Sequence, residues 1–324
     1  MKIIIQTSLI LLFLAPVSAQ PPDHPKTESD GAQSKESPEP LARPDFEIPG
    51  IPLNQNGTVK LDRERKRLLL VAHVCLREGV LEMLVCKKQT KEHEAILTID
   101  ADAFVIHTGL LALKAEPGKP VRYEPDYKAP TGTKIDIFLT WKDRRGKLQR
   151  MSARKWIRHA TRRYYVAPFV ELPKDLDLNG QDALKHDPNA GELFWYDTMS
   201  AKQRDELLKL SKDKKYRRAI ADFYRLSQPR PMNADWVFTG SGFHKDEETG
   251  QKYYLAESGD VICVANFASA MIDVALKSSS NGSSSLMFEA ATQAIPELGT
   301  PVMIELIPRP EPDKTGKKPA GMPE

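Results

Sequence analysis

Apolar residues run from Leu68 to Leu76, break at Arg77-Glu78-Gly79 and resume from Val80 to Cys86. Two such runs on either side of a Glu-Gly dipeptide predict a β-hairpin. Lys87–Glu92 reads as a loop and Glu94–Ile99 as a third strand. Asp100 or Asp102 stands at the cap position of a helix over Ala103–Lys114, which Pro117-Gly118 ends. Ile135–Trp141 alternates apolar with polar residues, as a strand does, and turns at Asp143–Gly146 into Lys147–Met151. After Ser152, the residues Ala153, Trp156, Ile157 and Ala160 recur at helical spacing and predict an amphipathic helix. Ser200 caps a second, long helix over Ala201–Leu226. Strands return at Trp236–Phe238, Lys252–Ala256, Val261–Ala265 and Pro301–Ile307, with a Ser/Gly-rich loop, Ser278–Ser285, before the last. Interspersed helices and strands joined by hairpin-length links predict an α+β domain. It would hold a mainly antiparallel β-sheet, a few packing helices and a helical insertion at about residues 172–231, where the chain becomes more charged.

The ends of the chain read differently. Met1-Lys2 is a short basic start, Ile3–Ala15 an apolar run, and Pro16–Ala19 sets small residues at a cleavage position. That order is a secretory signal peptide over residues 1–19, leaving Gln20 as the mature N-terminus. The thirteen-residue apolar run is too short to span a bilayer, which takes about 20. Residues 20–45 form a Pro-rich stretch without an aromatic side chain before Pro44, and residues 311–324 are similar in character. Neither buries enough apolar surface to offset chain entropy, so both are expected to be disordered, flanking a folded domain over 46–310. No later segment is long and apolar enough to cross a membrane, which predicts a soluble protein in the periplasm or outside the cell.

Charge narrows the partners. The chain carries 47 Lys+Arg against 44 Asp+Glu, a net of +3, and loss of the leader removes one lysine and no acid. That balance excludes a generally basic nucleic-acid binder. Locally the picture changes, since Lys142–Arg163 holds ten Lys/Arg and a single acid, Asp143. On the expected helix Arg154, Arg158 and Arg162 stack at i+4 spacing, a patch suited to an acidic envelope partner or polymer. Pairing with the acids of the insertion is the other reading of the same charges.

Three cysteines, Cys75, Cys86 and Cys263, allow at most one internal disulfide. With Glu78-Gly79 as a two-residue turn, His73, Cys75, Glu82, Leu84 and Cys86 share one face of the hairpin. Cys75 and Cys86 would then stand about 13 Å apart at ~3.3 Å per residue, too far for a disulfide. Cys263 could bridge either. His73, Cys75, Glu82 and Cys86, with His93 or His107, are ligand types that zinc takes, although no tight ligand spacing is present. Packing as small buried residues explains the cysteines equally. His93, flanked by Lys91, Glu92 and Glu94, is a candidate general base, and the same charges also suit a solvated strand edge. Asp175-x-Asp177-x-Asn179-Gly180 opens like a calcium loop, but His186 replaces the required twelfth-position Glu, which argues against calcium at 175–186. Asn56 and Asn281 begin glycosylation sequons.

Val74–Gly79, Leu81-Glu82, Cys86 and Thr90–Ile96 resemble the YdjY-like domain of exported bacterial proteins. Trp236–Ser241, Tyr254–Ala256, Gly259–Cys263, Ala265–Phe267, Ile295-Pro296 and Gly299-Thr300 continue the resemblance. It covers about Leu61–Trp156 and Asp235–Pro308 and implies no established activity. Some members carry an iron–sulfur label, and a four-thiolate cluster needs one cysteine more than this chain has. The expectation is an exported envelope module that binds or assembles without catalysis. The alternative is a metal- or thiol-dependent enzyme built on Cys75, Cys86 and His93.

Overall fold

A computed structural model describes residues 43–181, 183–277 and 287–309. The leader, most of the Pro-rich stretch, the Ser278–Ser285 loop with the Asn281 sequon, and the tail beyond Arg309 lie outside the described residues. In chain order come β1 (Ile51–Pro52), β2 (Val59–Asp62), β3 (Arg67–Val74), β4 (Met83–Lys87), β5 (Ala95–Ile99) and helix α1 (Ala103–Ala112). Strands β6 (Lys134–Lys142), β7 (Leu148–Ser152), β8 (Ile157–His159), β9 (Tyr164–Pro168), β10 (Leu184–Asp187) and β11 (Glu192–Tyr196) follow. Then come α2 (Ala201–Leu210), α3 (Lys214–Ser227) and β12 (Trp236–Phe238). The chain continues through β13 (Phe243–Lys245), β14 (Lys252–Tyr254), β15 (Ile262–Cys263), β16 (Ile272–Val274), β17 (Phe288–Ala290) and β18 (Pro301–Arg309).

Eight of these strands close on themselves. The order runs β3-β18-β6-β12-β16-β15-β4-β5, and β5 pairs back onto β3. The β4/β5 and β15/β16 seams are parallel among antiparallel neighbours. The expected α+β domain with a mainly antiparallel sheet is therefore corrected to a mostly stranded protein built on a closed, mixed β-barrel. Closure leaves the barrel no unpaired edge, and at eight strands side chains fill the interior. Alternation supplies them: Leu68, Leu70, Ala72 and Val74 of β3, Ile135, Ile137 and Leu139 of β6, and Val302, Ile304 and Leu306 of β18 join one core. Helix α1 lies against the wall at Gly109, where an added Cβ would come within 2.5 Å of the Leu68 side chain.

Three local expectations fail for related reasons. The hairpin over Leu68–Cys86 does not form, because β5 lies between its two arms, with His73 opposite Thr98 on one side and Cys86 opposite Thr98 on the other. The helix expected after Ser152 is one 3-10 turn, Ala153–Trp156, followed by β8. Its apolar residues still go inward, and Trp156 packs against Trp141 with ring centroids 5.1 Å apart. The long helix over Ala201–Leu226 is two helices, broken where Ser211 and Asp213 take up capping hydrogen bonds.

Helices α2 and α3 cover one face of the β10-β11-β9 sheet and share a separate core with it, including Tyr165, Leu193, Trp195, Leu207, Tyr216, Ile220 and Phe223. Ser200 starts α2 with a capping box: its hydroxyl accepts from the Gln203 N–H, and the Gln203 side chain accepts from the Ser200 N–H. Ser200→Ala is expected to destabilise the protein by about 1 kcal/mol, read as a lower denaturant midpoint at unchanged slope. Among the described residues, no helix is long and apolar enough to cross a membrane.

Candidate functional site

The loop between β4 and β5 organises the chemistry of the outer barrel wall. Glu92 ties it down by accepting from the Gln89 and Thr90 N–H groups, and the Thr90 hydroxyl donates to the Lys87 carbonyl at 2.6 Å. Gly259 presses on the same loop from β15's side, since a Cβ there would sit 2.5 Å from Thr90 Oγ1. Beneath the loop lies Cys86, fully buried. Cys75, one residue past β3, is half-buried, and its Sγ lies 3.1 Å from the Ala95 carbonyl oxygen.

Cys75 stands beside Ile96 on the β3 side of β5, and Cys86 beside Thr98 on its β4 side, so the hairpin register expected to set their spacing does not apply. The interaction with Cys75, then the Lys91 N–H and the Thr98 hydroxyl, holds the Cys86 thiol below its usual range against burial. The Cys75 thiol is pushed up by Cys86 and by burial. Cys263 lies in a small cluster with Met83, Cys86, Ala95 and Ala270, and burial raises its thiol well above the normal range. All three cysteines are reduced. Three thiols of such different surroundings do not fit a four-thiolate iron–sulfur cluster.

A carboxylate cluster adjoins the thiols. Lys91 bonds Asp260 at 2.9 Å, lies 3.8 Å from Glu94 and sits over the Phe267 ring at 4.4 Å. Ser258 and Ser269 donate to the other oxygen of Asp260. Burial, and then the neighbouring Glu94 carboxyl, push Glu82 up to about 7. Burial also pushes Asp273 up to about 7. Its Oδ1 accepts from Asn266 and from its neighbour's N–H, while Oδ2 has no hydrogen-bond partner among the described residues.

Both raised carboxyls keep a proton in the folded chain that the unfolded chain has lost by about pH 4. The folded state thus binds more protons between about pH 4 and about 7, and stability is expected to fall as pH rises through that window. Asp235 has the opposite sign. Hydrogen bonds from Lys134 foremost, then Arg154 and Arg309, lower it to about 2, so its contribution is lost only as pH falls toward that value. Thermal melts across pH should show Asp273→Asn flattening the neutral-side slope, by about 2–4 kcal/mol over the window.

The other expected site residues are dispersed. His93 exposes 76% of its side chain and lies 3.7 Å from Glu94, while Lys91 is taken up by Asp260. His107 is half-buried in α1, bonded to the Tyr254 hydroxyl at 2.9 Å. Glu82 lies beside Glu94. Among the described residues, no group of three or more His, Cys, Asp or Glu is arranged to hold a metal, so the set His73, Cys75, Glu82, Cys86 and His93 does not converge as zinc ligands. In the 175–186 segment, Asp175 accepts from Ser211 and the Lys212 N–H, and Asp177 from the Asn179 N–H. Arg154 and Arg158 do not stack: the first bonds Asp235 at 2.6 Å and the second Glu289 at 2.7 Å.

Sequence reading missed a second feature. The face of the β10-β11-β9 sheet turned away from α2 and α3 carries three aromatic side chains, Tyr164, Phe194 and Tyr196. Tyr164 is 58% exposed, Val166 52% and Tyr196 45%. Tyr164 stands opposite Tyr196 and Val166 opposite Phe194, which in turn faces Lys185. The Tyr164 ring centroid is 4.9 Å from that of Tyr196 and 5.7 Å from that of Phe194. Exposed Arg162 continues this row at one end, and Glu192 and Asp187 mark the other. The signal was the period-two series Arg162, Tyr164, Val166, Pro168 beside Glu192, Phe194, Tyr196.

No curated protein and no solved structure matches the chain. The YdjY domain matches residues 59–191 and 208–306, which takes in the barrel, the loop over Cys86 and most of the helix-covered sheet. With the greater part of its length matched, the chain belongs to the YdjY domain family.

Proposed function

We propose that this protein is exported to the cell envelope and works there as a non-catalytic binding module whose contact surface is the outer face of the β9–β11 sheet. The leader pattern of Met1–Ala19 supports export. The observation that carries binding is the row of exposed Tyr164, Val166 and Tyr196 with half-buried Phe194, on a sheet braced from behind by α2 and α3. Adjoining apolar and aromatic side chains left in water mark interaction surfaces, and tyrosine combines a flat apolar ring with a polar tip. Arg162 and Lys185 give this part of the face a positive rim, while Arg154 and Arg158 are spent on internal ion pairs. An acidic polysaccharide fits both features, its sugar rings stacking on the tyrosines and its carboxylates meeting Arg162 and Lys185.

Sedimentation with polygalacturonate as the probe, and neutral dextran as the control, tests this. The acidic polymer should bind, and Tyr164→Ala with Tyr196→Ala should weaken binding about tenfold or more, some 1.4 kcal/mol. Unchanged binding by the double variant would rule out this surface, and equal binding of both polymers would rule out the charge preference. Export is checked separately by fractionation and intact mass, with Gln20 as the expected first residue.

A further inference from the structure

We infer that this protein forms a two-fold dimer in which helix α1 of one copy packs antiparallel against α1 of the other. From Ala103 to Ala112 the helix carries no Asp, Glu, Lys or Arg. Its two hydrogen-bonding side chains are already engaged within the chain: His107 bonds the Tyr254 hydroxyl, and the Thr108 hydroxyl donates to the Phe104 carbonyl at 2.8 Å. One side of α1 meets the barrel through Ala103, Ile106, Gly109 and Leu110, all buried. The other side, Phe104, Thr108, Leu111 and Ala112, is exposed, at the i, i+4, i+7 and i+8 spacing of a single face. Phe104 is 47% exposed and Leu111 44%, and exposed Phe243 of β13 widens the patch, its ring 6.0 Å from that of Phe104. A surface helix ordinarily turns charged residues to water, and a helix that is apolar all round is a covered one.

The face is complementary to itself, which selects a second copy as its cover. In an antiparallel pair with Thr108 at the two-fold axis, Phe104 of each copy meets the partner's Leu111 and the partner's Ala112, while the small Thr108 side chains let the helices approach. The ends are charged in opposite senses. Exposed Asp100 and Asp102 stand at the N-terminal end of α1, and exposed Lys114 follows its C-terminal end, with no ion pair of its own among the described residues. Antiparallel packing brings Asp102 toward the partner's Lys114 at both ends and opposes the two helix dipoles, whereas parallel packing would set like charges together. The same acids disfavour an anionic lipid surface as the cover.

Sedimentation equilibrium of the full mature chain tests the pairing. At protein concentrations up to about 100 µM the wild type should show a monomer–dimer equilibrium. Leu111→Glu, which buries a charge in the contact, should weaken the dimer about tenfold or more. Asp102→Lys and Lys114→Glu should each weaken it about fivefold and, combined in one chain, restore it, because the exchanged pair again joins opposite charges. Rescue by the double variant also shows that neither single change lost the fold. A wild type that stays monomeric throughout, or a dimer that none of the three single changes weakens, would overturn the α1 pairing. Charge variants that the double variant does not rescue would overturn the antiparallel arrangement. A monomer that floats with phosphatidylglycerol vesicles, and fails to after Leu111→Glu, would give the face to a membrane instead and overturn the dimer.

Discussion

Gly132→Ala is expected to destabilise the barrel by about 3–5 kcal/mol and to lower the thermal midpoint by roughly 6–15 °C. Gly132 has φ +140, a backbone conformation that side-chain-bearing residues rarely adopt, and an added Cβ would stand 1.9 Å from the Phe238 carbonyl oxygen. That oxygen belongs to the main chain of β12, and it also accepts from the Gly118 N–H at 2.9 Å, so it cannot swing aside. Relief would require the segment leading into β6 to lift from β12, opening the wall. Gly146→Ala is the control: Gly146 has φ +73 in the turn between β6 and β7 with nothing within 4 Å of the new atom. Only backbone strain remains there, worth about 1 kcal/mol. Equal losses for both variants would mean that the contact with Phe238 is absent.

Glu305→Ala should cost about 3–5 kcal/mol, a second loss of the same order. Its carboxylate, on the outer face of β18, is 1% exposed and accepts from Arg67 at 2.6 Å, from Arg150 at 2.7 Å and from Thr140 at 3.2 Å. Burial works to raise this acid, but the Arg150 and Arg67 bonds and charges outweigh it and hold it low. Stability from Glu305 is therefore present above the unfolded carboxyl's titration and lost as pH falls through the folded one. Removing the acid leaves Arg67, 11% exposed, facing β18 with only Asp62 to balance it. Glu305→Gln should lose less, because the amide oxygen still accepts. Denaturant unfolding of the three proteins checks the order, and equal stability of wild type and Glu305→Ala would contradict it.

How much the sequence disclosed depends on the range of the interaction. Alternation over Ile135–Trp141 and the capping pattern at Ser200 are local, and both elements stand where local physics puts them. The barrel was not legible, because β4 and β5 are parallel neighbours joined only by residues 88–94. Parallel strands usually need a crossover of about a dozen residues, so a Glu-Gly turn argued locally for a hairpin. The helix expected at Ala153–Ala160 failed because a 3-10 turn followed by a strand buries the same positions. Arg154 and Arg158 find acids 81 and 131 residues away, which no window around them contains.

The closing seam of the barrel, where β5 pairs with β3 on one side and β4 on the other, forms the wall behind the loop over Cys86. It is tested most directly by backbone cross-strand NOEs from selectively labelled protein. Contacts from His73 to Thr98 and from Thr98 to Cys86 are predicted, with Thr98 between the other two. A Cys75–Glu82 pairing without the His73–Thr98 contact would contradict the closed barrel.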